Sequence, residues 1–183
     1  MNSNRNLSDY LNKFRNLKVY VNYDMYPPTG KAPNKPILLL SLMVLNKNDK
    51  IDLRDIPTDT DKEVNELLVD AWNKFWDCLS YEGDNYKCPG DIFQPIYAID
   101  NNYKEEFLKI NYNDGVKPRI ASSWNVLNKI ADKIFFEEEL IQFFDDSESR
   151  EKIKNALIHE GEYFDSSNEK ALSEEYDKID ASL

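Results

Sequence analysis

Apolar residues in this chain fall into blocks of helical spacing, separated by polar segments rich in turn formers. Leu11, Phe14 and Leu17 share one face behind Ser8, so the spacing predicts a helix over 8–18 with Ser8 as its cap. A loop follows over 20–35, marked by Tyr26-Pro27-Pro28-Thr29-Gly30. Pro36 then opens an apolar run to Leu45 that reads as a buried helix, since proline in a first helical turn gives up no N–H that the helix needs. Asn46-Lys47-Asn48-Asp49 ends that run, and Ile51 and Leu53 alternate with polar neighbours as a short strand would. Asp59 or Thr60 caps a long helix in which Val64, Leu67, Leu68, Ala71, Trp72, Phe75, Trp76 and Leu79 recur at the 3.6 period. Such spacing makes the aromatics core side chains, not a stacking platform.

The second half alternates less regularly. Tyr81 to Gly90 is turn-rich. Ile92 to Ile99 reads as a strand, with Phe107 to Ile110 as its hairpin partner and Pro95 marking an edge or a bulge. Asn113-Asp114-Gly115 is a turn. Ser122 or Ser123 caps a helix through about Lys133, and two more helices follow at about 137–144 and 147–159. After Phe164 a polar, acidic tail begins, in which Ala171, Leu172, Tyr176 and Ile179 form at most one weakly amphipathic helix. The pattern predicts an α+β fold: a mainly helical single domain over 1–164 with a small antiparallel sheet, then an acidic tail over 165–183 that is partly helical or disordered.

Composition agrees with a globular domain: 183 residues, 41% hydrophobic and 13% aromatic, are enough for a real core. No apolar run is long enough to cross a membrane, and none stands behind the N-terminus as a signal peptide would, so a cytoplasmic protein without membrane contact is expected. Cys78 lies in an apolar helical pattern and Cys88 in a turn, which is no disulfide framework. These two cysteines and the single His159 do not supply a zinc site. The net charge of −11 argues against indiscriminate nucleic-acid binding. Its distribution is uneven: +5 over residues 1–50, −6 over 51–133 and −10 over 134–183. A locally basic face survives this balance, because exposed charges are screened over roughly 10 Å.

Chemistry-bearing residues point to binding, not catalysis. No Ser-His-Asp or Cys-His arrangement and no glycine-rich phosphate loop stands out, and the runs Glu137-Glu138-Glu139 and Asp145-Asp146 suit helix N-termini. No catalytic residue, metal ligand or cofactor is assigned. Three places offer cationic or amide groups outside a core. One is the proline-bracketed loop with Lys31, Asn34 and Lys35, set at a helix N-terminus that favours anions. The others are the segment around Gln94, Pro95 and Ala98, and the loop Lys117-Pro118-Arg119. Arg grips a phosphate or base edge in two-pronged fashion, Asn and Gln read adenine, and Lys supplies phosphate affinity.

Taken in order, these segments resemble a known family. A helix leads to a loop ending Gly30-Lys31-Ala32-Pro33-Asn34-Lys35-Pro36, then a Leu-rich helix, a Trp-bearing helix, the Gln94–Ile99 segment and a Phe135–Phe164 region ending Tyr163-Phe164. The whole, from about Ser8 to Phe164, is similar to the N-terminal recognition domain of HNH-type, modification-dependent restriction endonucleases. The best understood members are sulfur-binding domains that recognise phosphorothioate DNA. The resemblance implies a pocket for the modified phosphate lined by Asn34 and Lys35, an apolar wall from Gln94, Pro95 and Ala98, and base reading by Arg119. Sulfur is larger and less hydrated than oxygen, so an apolar wall beside a cation favours it. Asn34 stands where the family has His, Lys35 where Arg is common, and Gln94 where an aromatic is usual, so the wall is more polar here.

The expected role is a DNA-recognition module of a restriction or phage-defence system, with double-stranded DNA, modified or plain, as partner. One histidine does not furnish an HNH site, so cutting is expected in another segment or in a nuclease subunit. Two other readings compete: a protein-interaction module, as partner subunit or acidic DNA mimic, and an enzyme using carboxylates with a divalent metal.

Overall fold

The computed structural model describes residues 5–58, 63–81, 92–100, 105–113 and 123–183. Helix α1, Leu7–Arg15, is capped by Asn6 in place of Ser8: the Asn6 side chain accepts the Asp9 N–H while Asp9 accepts the Asn6 N–H, a reciprocal capping box. Helix α2, Asn34–Lys47, starts two residues before Pro36 and is buried at every position from Lys35 to Leu45. A helix apolar on all sides belongs at the centre of a fold. The short strand β1, Ile56–Pro57, lies beyond the Ile51–Leu53 segment in which the alternation placed it. Helix α3, Glu63–Asp77, turns Leu68, Ala71, Trp72, Phe75 and Trp76 inward; the expected Asp59 or Thr60 cap lies outside the described residues.

Residues Phe93–Asp100 form helix α4, not a strand. Pro95 sits in its first turn, where the missing N–H is no loss, and Phe93, Ile96 and Ile99 are buried at a spacing of three. An apolar run of eight residues carries no period decisive enough to separate strand from helix. Strand β2, Leu108–Tyr112, is therefore not the hairpin partner of this segment. Its first bond to α4 is through a side chain: Asp100 accepts the Ile110 N–H at 3.0 Å and the Tyr112 hydroxyl at 3.2 Å.

Helix α5, Trp124–Ile130, stops three residues short of Lys133. From Ala131 the backbone is extended, and Ala131–Phe136 forms β3, the middle strand of an antiparallel sheet ordered β1-β3-β2. The apolar residues Ile134 and Phe136 are worth more in the sheet than in a longer helix, because there they cover the core. The register skips Asp132 between Lys133↔Asn111 and Ala131↔Tyr112, a bulge that eases the passage from helix to strand.

Helices α6, Glu138–Asp145, and α7, Ser147–Asn155, follow as expected. The end of α7 widens into a π-turn over Ala156–Glu160. The last 17 residues of helical chain, Ser166–Ser182, form α8, capped by Asp165. This helix packs on α2 and α3 through buried Leu172, Tyr176 and Ile179. Asp180 ties it to the far end of α2 by accepting from the Lys47 amine and from Asn48 Nδ2.

The chain is thus mainly helical with one small antiparallel sheet, an α+β fold wrapped around α2. Among the described residues no helix is long and apolar enough to cross a membrane.

Candidate functional site

The first turns of α2 and α4 flank a cavity of about 180 Å³. Asn34 and Lys35 line it from α2, with Ala32 just before them. Gln94, Pro95 and Ala98 line it from α4, and residues 18–20, leading out of α1, close the third side. The helical conformation of α4 explains the grouping. Positions 94 and 98 share a helix face one turn apart, and 95 adjoins them, whereas a strand would turn Pro95 to the opposite side. Five of the seven residues singled out from sequence therefore meet in one small space. Pro95 is buried, while Gln94 and Ala98 are exposed at the rim.

The floor of this cavity is a buried ion pair. The Lys35 amine donates to Glu105 Oε2 at 2.5 Å, with the two side chains 7% and 4% exposed. Glu105 Oε1 accepts the Lys18 backbone N–H at 2.8 Å, and the Glu105 carbonyl accepts from the Lys13 amine at 3.3 Å. One residue thus holds α1, the segment leading from it and α2 together. Burial draws the Lys35 amine below the ordinary lysine range, against the opposing pull of Glu105. The sequence presents Lys35 as an exposed cation at a helix N-terminus. In the fold its charge is already neutralised, because its helix start is packed under the 105 loop.

Asn34 Oδ1 is buried without a hydrogen-bond partner among the described residues. Lys31 is not part of the lining: its amine donates to the Gly161 carbonyl at 3.1 Å, lies 3.7 Å from Glu162 and sits 5.4 Å above the Tyr163 ring. It fastens its loop to the π-turn. Arg119 and the loop around it lie outside the described residues.

Two rim residues escaped the sequence reading. Lys18 is exposed and, among the described residues, has no carboxylate partner. Tyr20 lines the cavity yet is 64% exposed. It begins a turn whose Val21 and Tyr23 also project, at 53% and 66% exposure. A run of large side chains inside an otherwise polar loop was the available signal.

A larger concavity, about 770 Å³, lies at the opposite end of α2. It is lined by Asp49, Asp52, Asp55, Asp132 and Asp145, against Lys50 and Arg54, and its field repels a polyanion. No group of three or more His, Cys, Asp or Glu among the described residues is placed to hold a metal. His159 lies between Glu169, 3.0 Å from Nδ1, and Ser173, 3.4 Å from Nε2. This chain of contacts is not legible from residue order, since it needs α8 to fold back on the π-turn. Helix α8 spends the backbone N–H groups around Ser173 in its own ladder, which leaves no donor pair there to receive an oxyanion.

No protein-family model matches this chain and no curated protein matches it, so the cavity and its rim are the basis for a functional reading.

Proposed function

We infer that this protein is a DNA-recognition module of a restriction or phage-defence system, acting in the cytoplasm, and that the cavity between α2 and α4 takes a modified group of duplex DNA. A single observation carries the reading: Asn34, Lys35, Gln94, Pro95 and Ala98, which the family resemblance marks as a modification pocket, line one space of about 180 Å³. The exposed Lys18 at its rim supplies attraction for a neighbouring phosphate. A nuclease segment or subunit would do the cutting, and phosphorothioate is the first modification to examine.

Gel shifts with plain and phosphorothioate duplexes test it. The protein retards a duplex, and Ala98→Leu, which fills the space, and Lys18→Glu each weaken binding about tenfold or more. Retardation of neither duplex removes the reading. The competing role, a protein-interaction module for a basic partner, draws support from the aspartate-lined concavity. It gains ground if Asp52→Lys, and not Ala98→Leu, abolishes capture of a host protein.

A further inference from the structure

The charge state of the cavity limits what enters it. Among the described residues its one buried cation is spent on Glu105 at 2.5 Å, so a charged phosphate group gains less there than beside a free amine, and an uncharged group fits the cavity better. What remains is an apolar wall from Ala32, Pro95 and Ala98, the amides of Asn34 and Gln94, and Tyr20 at the mouth. Asn34 Oδ1, buried and without a partner among the described residues, calls for an N–H donor. The Gln94 amide stands exposed at the rim.

We propose that the group the cavity receives is an uncharged nucleobase turned out of the duplex, read by Asn34 and Gln94 and stacked by Tyr20. This rests on the DNA reading above and names the ligand of the same site. A flipped base is recognised through hydrogen bonds to its edge and stacking against aromatic or apolar side chains, the two resources present here. Amide side chains pair with adenine in two-pronged fashion, so adenine is the base expected. About 180 Å³, below the range of drug-sized ligand sites, suits one base and little more.

The neighbouring turn is built to displace a base. Its fold is fixed by Ala32 N–H to the Tyr20 carbonyl at 2.8 Å, Asn22 N–H to the Gly30 carbonyl at 2.6 Å, and Asn22 Oδ1 accepting from the Asp24 and Met25 N–H groups. The Tyr23 ring lies so close over Gly30 that a β-carbon there would come within 2.8 Å of it. With the Tyr23 ring laid against Gly30, Val21 projects from a rigid support beside the cavity, as a side chain that wedges between base steps does.

The experiment uses the full chain and short duplexes in which 2-aminopurine stands next to the base under test, that base being adenine or N6-methyladenine and the backbone plain or phosphorothioate. Affinity is read by gel shift and extrusion by 2-aminopurine fluorescence. The expected result is a fluorescence rise on binding. Tyr20→Ala should weaken affinity about tenfold, while Tyr20→Phe binds as the parent does and both variants keep the parent's thermal midpoint. Binding with no fluorescence rise, or with no effect of Tyr20→Ala, overturns the extruded base while leaving the DNA reading intact. Failure of every duplex to bind removes both.

Discussion

Lys35 and Glu105, seventy positions apart, meet at 2.5 Å beneath the cavity, each almost sealed from solvent. A buried pair of this kind is costly to break one side at a time, because the surviving charge has no water to return to. Lys35→Met and Glu105→Gln should each cost about 3 to 5 kcal/mol. The double variant should cost less than their sum, as coupled neighbours do. Urea midpoints of the four proteins measure this. Equal stability of Lys35→Met and the parent would mean the pair is not sealed. Lysine replacement here is consequently a poor probe of ligand binding, and rim variants serve better.

Gly161 follows the π-turn with the Tyr163 ring pressed on it: a β-carbon there would lie 1.9 Å from the ring. The ring cannot swing away, since its hydroxyl donates to the Phe14 carbonyl and accepts the Leu17 N–H, both at 2.7 Å. Gly161→Ala should destabilise by about 1 to 3 kcal/mol. Tyr163→Phe, which leaves two buried backbone groups unpaired, should cost a similar amount. Thermal melts of each variant check both. A Gly161→Ala protein as stable as the parent would show that α1 and the π-turn are free to separate.

Cys78 gives a pH dependence of definite sign. Burial pushes its thiol up to about 12, above the roughly 8.5 of an unfolded cysteine. The fold therefore favours the protonated thiol. That contribution is complete below about pH 8.5 and drains away as pH climbs toward 12. In a Cys88→Ser background, urea midpoints should fall between pH 8.5 and 10, and Cys78→Ala should flatten this stretch. Raised phenols such as Tyr163 add a further loss above about pH 10 in both proteins. Identical slopes for the two proteins below pH 10 would contradict the assignment.

Removal of residues 165–183 should unfold the domain, not trim it. Leu172, Tyr176 and Ile179 of α8 are all buried against the body of the protein. Burying a large apolar side chain contributes about 1.5 to 3 kcal/mol, so three together approach the whole stability of a domain. Far-ultraviolet circular dichroism of the truncated chain decides it. A cooperative melt near the parent's would mean that α8 is dispensable.

The sequence made the architecture readable where periodicity was long. α2 and α3 carry enough apolar positions to fix type and face, and the helical character of α2 follows from Pro36 and the unbroken run behind it. Short runs were ambiguous. Phe93–Asp100 is a helix where a strand was expected, and residues 131–133, expected to end a helix, open strand β3, because short runs of mixed apolar character are decided by what they pack against. The site was legible as a set of residue types on two segments. Its electrostatics were not: nothing local to Lys35 announces that Glu105 will close over it, since pairing across that distance is a property of the fold alone.

Because Glu105 binds three separate stretches of chain at once, the bottom of the cavity cannot be altered without loosening the molecule. Gln94, Ala98 and Lys18 stand on the open lip and carry no such burden. Selectivity in this scaffold is accordingly tunable at the edge and fixed at the base: a designer seeking a new preference would vary those three positions and leave the foundation alone.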